Sequence, residues 1–101
     1  GPYYSITNMV AGQTATFSIT GAAPSSNCTI GYSLNGAGPL NTSYGIVDMT
    51  PPISILANIT SDANGDASIL INVPPNAAGI TFYTQALNNG TLTNSIARVI
   101  L

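Results

Sequence analysis

The chain has 101 residues, of which 45% are hydrophobic and 4% charged, with a net charge of −2 at pH 7. That length is one domain with a single shared core. With Arg98 as its one basic residue, the chain has no face able to neutralise a phosphate backbone, so nucleic-acid binding and docking on anionic membranes are excluded.

The first ten residues predict a strand over Tyr3 to Val10, with Tyr4, Ile6 and then Met9 or Val10 as its apolar contacts. Ala11-Gly12 ends it. Gln13 to Thr20 alternates cleanly, since Ala15, Phe17 and Ile19 interleave with Thr14, Thr16, Ser18 and Thr20. Period two with Thr and Phe is the pattern of a half-buried strand. A loop with Pro24 follows, then a strand over Cys28 to Leu34 that places Ile30, Tyr32 and Leu34 on one face. Asn35-Gly36 suits a hairpin, and Gly38-Pro39 lengthens the connection. Tyr44 and Ile46 fit a short edge strand before Pro51-Pro52 interrupts regular pairing.

The stretch from Ile53 to Val73 reads as two alternating strands about an Asp/Asn/Gly turn. Ile53, Ile55, Ala57 and Ile59 share one face, as do Ala67, Ile69, Ile71 and Val73. Asn64-Gly65 accepts left-handed backbone angles, so the expectation is a hairpin. Pro74-Pro75 stops the second strand. Ile80 to Leu87 is apolar on both faces, Asn89-Gly90 marks a further turn, and Leu92 to Leu101 closes the chain. This last strand is also apolar on both faces, which is unsuited to a solvent-facing edge. It is therefore expected either to sit centrally in its sheet or to meet another subunit.

No segment carries an apolar stripe at helical spacing, and no apolar run reaches the about 18 residues of a membrane-spanning helix. Seven or eight short strands separated by Gly, Pro and Asn turns predict an all-β fold, a two-sheet antiparallel β-sandwich with Greek-key connections. A small barrel is the alternative. Within it, residues 1–10 are expected to form an edge or exchanged strand, and residues 11–101 the sandwich itself.

The succession AGQTATFSITGAAP, IGYSLNGAGP, ILANITSDANGDASILINVPPNAAG and FYTQALNNGTLTNSIARVIL resembles small immunoglobulin-like or fibronectin-like domains of secreted and surface proteins of bacteria. The likeness extends from Val10 onward and is most specific over residues 55 to 74. It implies an immunoglobulin-like fold, an extracellular or cell-surface location, and a role as spacer, adhesion module or assembly unit, with no catalytic motif.

The residues themselves agree on catalysis: without His, Lys or Glu, the usual general bases and Schiff-base nucleophiles are missing. Cys28 reads as a small buried hydrophobe, with an intermolecular disulfide as the alternative. Asp62, Asn64 and Asp66 alternate oxygen-bearing side chains as the start of a calcium loop does. The same residues are also accounted for by a turn, so structural Ca²⁺ is the lesser expectation and no other cofactor is expected. Asn27, Asn41, Asn58 and Asn89 each begin an Asn-X-Ser/Thr acceptor pattern for glycosylation, close to chance in a chain this rich in Asn, Ser and Thr. Tyr3, Tyr4, Tyr32, Tyr44 and Tyr83 offer flat surfaces for a cell-surface glycan.

Self-assembly is the leading functional expectation. Leu56, Leu70, Ile96 and Ile100 stand opposite adequate inner faces and would leave an exposed apolar patch on a free monomer. Tyr4 and Ile6 lie on the segment best placed for exchange with a neighbour. Partners are thus expected to be copies of the same chain in an extracellular filament or surface layer. A monomeric adhesion or glycan-binding module is the alternative.

Overall fold

The computed structural model describes all residues from Gly1 to Leu101. Nine strands form in chain order: β1 (Tyr3–Thr7), β2 (Thr14–Thr20), β3 (Asn27–Ser33), β4 (Leu40–Thr42), β5 (Gly45–Val47), β6 (Ser54–Thr60), β7 (Ala67–Asn72), β8 (Thr81–Asn88) and β9 (Thr91–Val99). Strands β1-β2-β7 make a three-stranded sheet, β6-β3-β8-β9 a four-stranded sheet, and β4-β5 a separate two-stranded ribbon. All pairings are antiparallel. The count exceeds the expected seven or eight because the weakly patterned region around Tyr44 folds as a paired ribbon.

The core lies between the larger sheets. Ala15, Phe17 and Ile19 of β2 are fully buried, as are Cys28 and Ile30 of β3, matching the alternation of both strands. Phe17 meets Phe82 edge-on at 6.1 Å, and Tyr32 stacks on Phe82 at 5.2 Å. Such offset and T-shaped contacts are the favoured aromatic geometries. Leu34, expected to continue the inward face of β3, lies beyond the end of the strand and is exposed.

The expected hairpin between Ile53 and Val73 does not form. Strand β6 pairs with β3 in one sheet, and β7 pairs with β2 in the other. Their connection crosses the sandwich, running beside the β2–β3 connection, which also crosses it. Backbone bonds from Ala22 to Gly65, Ser25 to Asp62 and Ser61 to Ser26 tie the two crossings together. Alternation establishes that a segment has one buried face; it carries no information on which sheet receives it. Asn64-Gly65 therefore serves a sheet-to-sheet turn. The Asn89-Gly90 turn does join a hairpin, with φ of 49° and 81° at its two residues, as a type I′ turn requires.

A bulge corrects the predicted faces of β6. Ile30 pairs with Ala57 and Gly31 with Ile55, which leaves Leu56 as the extra residue. Bulges re-aim side chains, and here Leu56 packs toward the core while Ile55 is 59% exposed. The inner face of β9 also differs from the expectation: Ile96 and Ile100 face the core, and Val99 and Leu101 point out.

Gly65 (φ 79°) is buried, and a Cβ there would overlap the Ala22 carbonyl oxygen. Gly90 has a similar φ of 81° but open space around it. Gly90→Ala should therefore cost only the left-handed backbone penalty, about 1 kcal/mol. Gly65→Ala should cost about 3 kcal/mol or more, because steric overlap at the double crossing is added. Urea unfolding of the two variants measures the difference.

Candidate functional site

The two flanks of the sandwich are built differently. On one, β1 of the three-stranded sheet lies beside β9 of the four-stranded sheet. The Asn94 carboxamide accepts a hydrogen bond from the Tyr4 N–H (2.8 Å) and donates one to the Tyr4 carbonyl (2.9 Å). The Arg98 guanidinium donates to the Ile6 carbonyl at 2.8 Å. Side chains thus occupy the groups that an edge strand normally offers to a newcomer. Below them the Tyr4 hydroxyl reaches Thr84 Oγ1 at 2.9 Å, and that hydroxyl donates to the Gly31 carbonyl at 2.6 Å. Burial pushes the Tyr4 phenol well above its ordinary value, against smaller lowering effects of the Thr84 hydrogen bond and the Arg98 charge.

The opposite flank is open. Strand β7 pairs only with β2. Val73 directs both its N–H and its C=O to the β2 side, to Gln13 and Gly12. By the period of two, Ala67, Ile69 and Ile71 point their backbone groups the same way, while those of Ser68, Leu70 and Asn72 face away. The exposed edge carries no charge, no proline and no bulge, so it lacks the usual devices that blunt such edges. Leu70 is 68% exposed. The neighbouring edge, β6, is interrupted by its bulge at Leu56.

The outer face beside this edge is also free of charge. Register aligns Thr7, Thr16 and Leu70 in one row and Ser5, Ser18 and Ser68 in the next, with Tyr3 opposite Thr20. The four-stranded sheet differs, because the β4-β5 ribbon covers part of its outer face. Asp48 N–H donates to Gln85 Oε1 at 2.9 Å, and Ser95 Oγ donates to Asp48 Oδ2 at 2.6 Å. Val47 and Met49 are buried there, leaving a groove of about 230 Å³ that also borders Ile55 and Leu87. This cover explains why β8 is apolar on both faces.

A larger cleft of about 350 Å³ opens between the sheets, walled by Leu56 of β6 and Ile71 of β7, with Phe17, Tyr32 and Phe82 lining its interior. No titratable group other than Tyr32 lines it.

The assembly residues named from sequence are dispersed by the fold. Tyr4, Ile6 and Ile100 are buried, and Leu56 and Ile96 pack against the core. They complete the domain's own interior, which corrects the premise that Leu56, Ile96 and Ile100 face outward. Leu70 alone of the group is strongly exposed. Residues 1–10 are integral to the sandwich: β1 pairs with β2 along its whole length. Deletion of residues 1–8 would therefore remove core side chains.

Asp62 Oδ1 accepts from the N–H groups of Asn64 and Asp66, both at 2.9 Å, which is an Asx-type turn. No group of three acidic, Cys or His side chains gathers there or elsewhere. Asn27, Asn41, Asn58 and Asn89 are all exposed. The amides of Asn27 and Asn58 are engaged with Thr29. Tyr3 and Tyr44 are exposed on separate elements, and Tyr32 and Tyr83 are half-buried. The buried Cys28 thiol is pushed up by burial, with a hydrogen bond from Asn88 at 3.3 Å acting the other way. Sequence reasoning missed Asn94, Arg98, Thr84 and Gln85 as organising groups, because each acts across a long sequence separation.

No protein-family model matches the chain, and neither does any curated protein. Among solved structures, macromomycin is similar, with a TM-score of 0.52 and 18% identity, covering 99% of this chain and 97% of its own. At that identity the likeness shows the all-β, sandwich-like fold. No helix is long and apolar enough to cross a membrane.

Tyr4 supplies a pH test of the closed flank. A phenol whose folded value is raised stabilises the fold below its ordinary value of 10 and loses that contribution as pH rises above it. Tyr4→Phe should cost about 1 kcal/mol at neutral pH. It should also flatten the decline in stability above pH 10, as urea unfolding across pH 8 to 11 would measure.

Proposed function

We propose that the chain is an exported structural subunit that associates with copies of itself into a filament or surface layer. The observation that carries this reading is the asymmetry of its flanks. Asn94 and Arg98 occupy the outer groups of β1, whereas Ser68, Leu70 and Asn72 leave theirs available on an uncharged strand of unbroken register. Strand addition at such an edge gains main-chain hydrogen bonds in exchange for bonds to water, without breaking any within the protein. Antiparallel pairing of β7 with β7 of another copy makes a twofold pair and merges two three-stranded sheets.

Growth beyond that pair needs a second surface. The Ser/Thr face of the three-stranded sheet supplies one, since two such faces approach without like-charge repulsion and stack as sheets do. The nearly charge-free composition serves the same end. The assembly route therefore shifts from exchange of residues 1–10 to the β7 edge. The sheet order, three strands against four with the chain crossing at the β2–β3, β6–β7 and β7–β8 connections, supports an immunoglobulin-like, Greek-key classification within this proposal. A monomeric glycan-binding module has less support, because Tyr3 and Tyr44 do not form a row.

Leu70→Lys places a charge on the open edge while leaving the core intact. Juxtaposed like charges oppose pairing, so the variant should associate at about tenfold higher concentration or more. Sedimentation of wild type and variant across a concentration series, with electron microscopy of the assembled material, provides the test. Assemblies unchanged by Leu70→Lys would defeat the β7 route.

A further inference from the structure

We propose that the cleft between the sheets is a binding site for a neutral, largely hydrocarbon small molecule carrying an aromatic ring. Independently of self-association, the cleft's volume, its lining and the arrangement of its aromatic rings point to this ligand class. Its floor is the core itself: Phe17, Phe82 and Ile100 line it and are at most 6% exposed. The cleft is therefore an extension of the interior that reaches solvent, unlike an apolar patch on an outer face.

Its volume of about 350 Å³ falls in the range of small-molecule pockets, about 300–1,000 Å³. Apolar walls hold water poorly because they offer it few hydrogen-bond partners. They also forgo dispersion contacts wherever no atom faces them. An apolar guest corrects both.

The ligand class follows from the walls. No Asp or Arg lines the cleft, so an ionic ligand would lose its hydration with no opposite charge to replace it. Tyr32 and Phe82 lie nearly parallel, 17° between their planes, and Phe17 stands at 74° to Phe82. This wall presents both ring faces and ring edges, to which a flat ring packs by stacking or edge contact. Ile71 and Leu56 supply aliphatic surface from the other sheet and from the bulge.

The bulge is what creates this geometry. Without the extra residue, Ile55 and Ala57 would keep strict alternation and Leu56 would point out of the sandwich. Among the lining residues, half-buried Tyr32 and exposed Asn76 carry a hydroxyl and a carboxamide that make no hydrogen bond within the protein. They can satisfy one neutral polar group on the guest, such as a carbonyl or a hydroxyl.

N-phenyl-1-naphthylamine, a neutral aromatic probe that brightens in apolar surroundings, tests the proposal on the full chain. The wild type should bind it saturably with one probe per chain. Ala77→Leu, which adds bulk inside the cleft, should weaken binding by about tenfold or more. Circular dichroism checks that this variant folds. If it does not, Ile80→Lys at the rim takes its place, because Ile80 is 40% exposed and a charge there opposes entry of an apolar guest.

Leu70→Lys lies outside the cleft and should leave probe binding unchanged, even where it abolishes self-association. Absent or non-saturable binding by the wild type, or equal affinity in a folded cleft variant, would overturn the assignment. Loss of binding in Leu70→Lys would overturn it too, by placing the probe between copies.

Discussion

The two hydrogen bonds between the Asn94 carboxamide and the backbone of Tyr4 determine how the rest of the molecule meets its surroundings. A primary amide can set one of its two N–H donors beside its carbonyl acceptor, as a strand neighbour would. With Arg98 bonded to the next outward carbonyl of β1, the β1–β9 flank is closed without a continuous backbone ladder. The chain has no second arrangement of this kind on the β6–β7 flank. An edge and an apolar cleft remain there, and both functional proposals arise from that difference.

The interior depends equally on polar groups. Thr84, Gln85, Asn88 and Thr93 are buried on β8 and β9, yet every buried side-chain polar atom has a hydrogen-bond partner. Asn88 binds the Ala23 N–H, Ser26 Oγ and the Asn27 carbonyl, holding the β2–β3 crossing against the sheet. Gln85 joins the Thr93 carbonyl to the Asp48 N–H and so fixes the ribbon. In a low-dielectric interior such satisfied networks specify geometry, since an alternative packing would strand several polar groups at once. A chain with almost no charged residues thereby obtains its specificity from amides and hydroxyls.

Much of the fold was legible in the sequence. The alternation of Ala15, Phe17 and Ile19, and the Asn89-Gly90 turn, report local physics, and local physics is what a short window contains. The assignment of β6 and β7 to opposite sheets was not legible, because a pairing partner lies far along the chain and alternation is indifferent to it. The bulge at Leu56 was hidden for a related reason: a run such as Ile-Leu-Ala permits either register. The candidate site was less legible still. Leu56, Ile96 and Ile100 look like surplus apolar surface, and Tyr4 and Ile6 like part of an exchangeable edge, until the topology brings all five to the core. Asn94 and Arg98 look like ordinary water-facing side chains until β1 is laid beside them and its backbone becomes their partner. Leu70 survives because its strand lies at an edge, where its outward face has nothing to cover it.

The central claim is that one flank is closed within the chain and the other is left for a second copy. Residue-resolved backbone hydrogen exchange over a range of protein concentrations tests it most directly. The Tyr4 amide should exchange slowly at every concentration. The amides of Ser68, Leu70 and Asn72 should exchange rapidly in dilute solution and become protected as the concentration rises. Equally rapid exchange of those three amides in dilute and concentrated samples would contradict the account, as would their full protection in the dilute monomer.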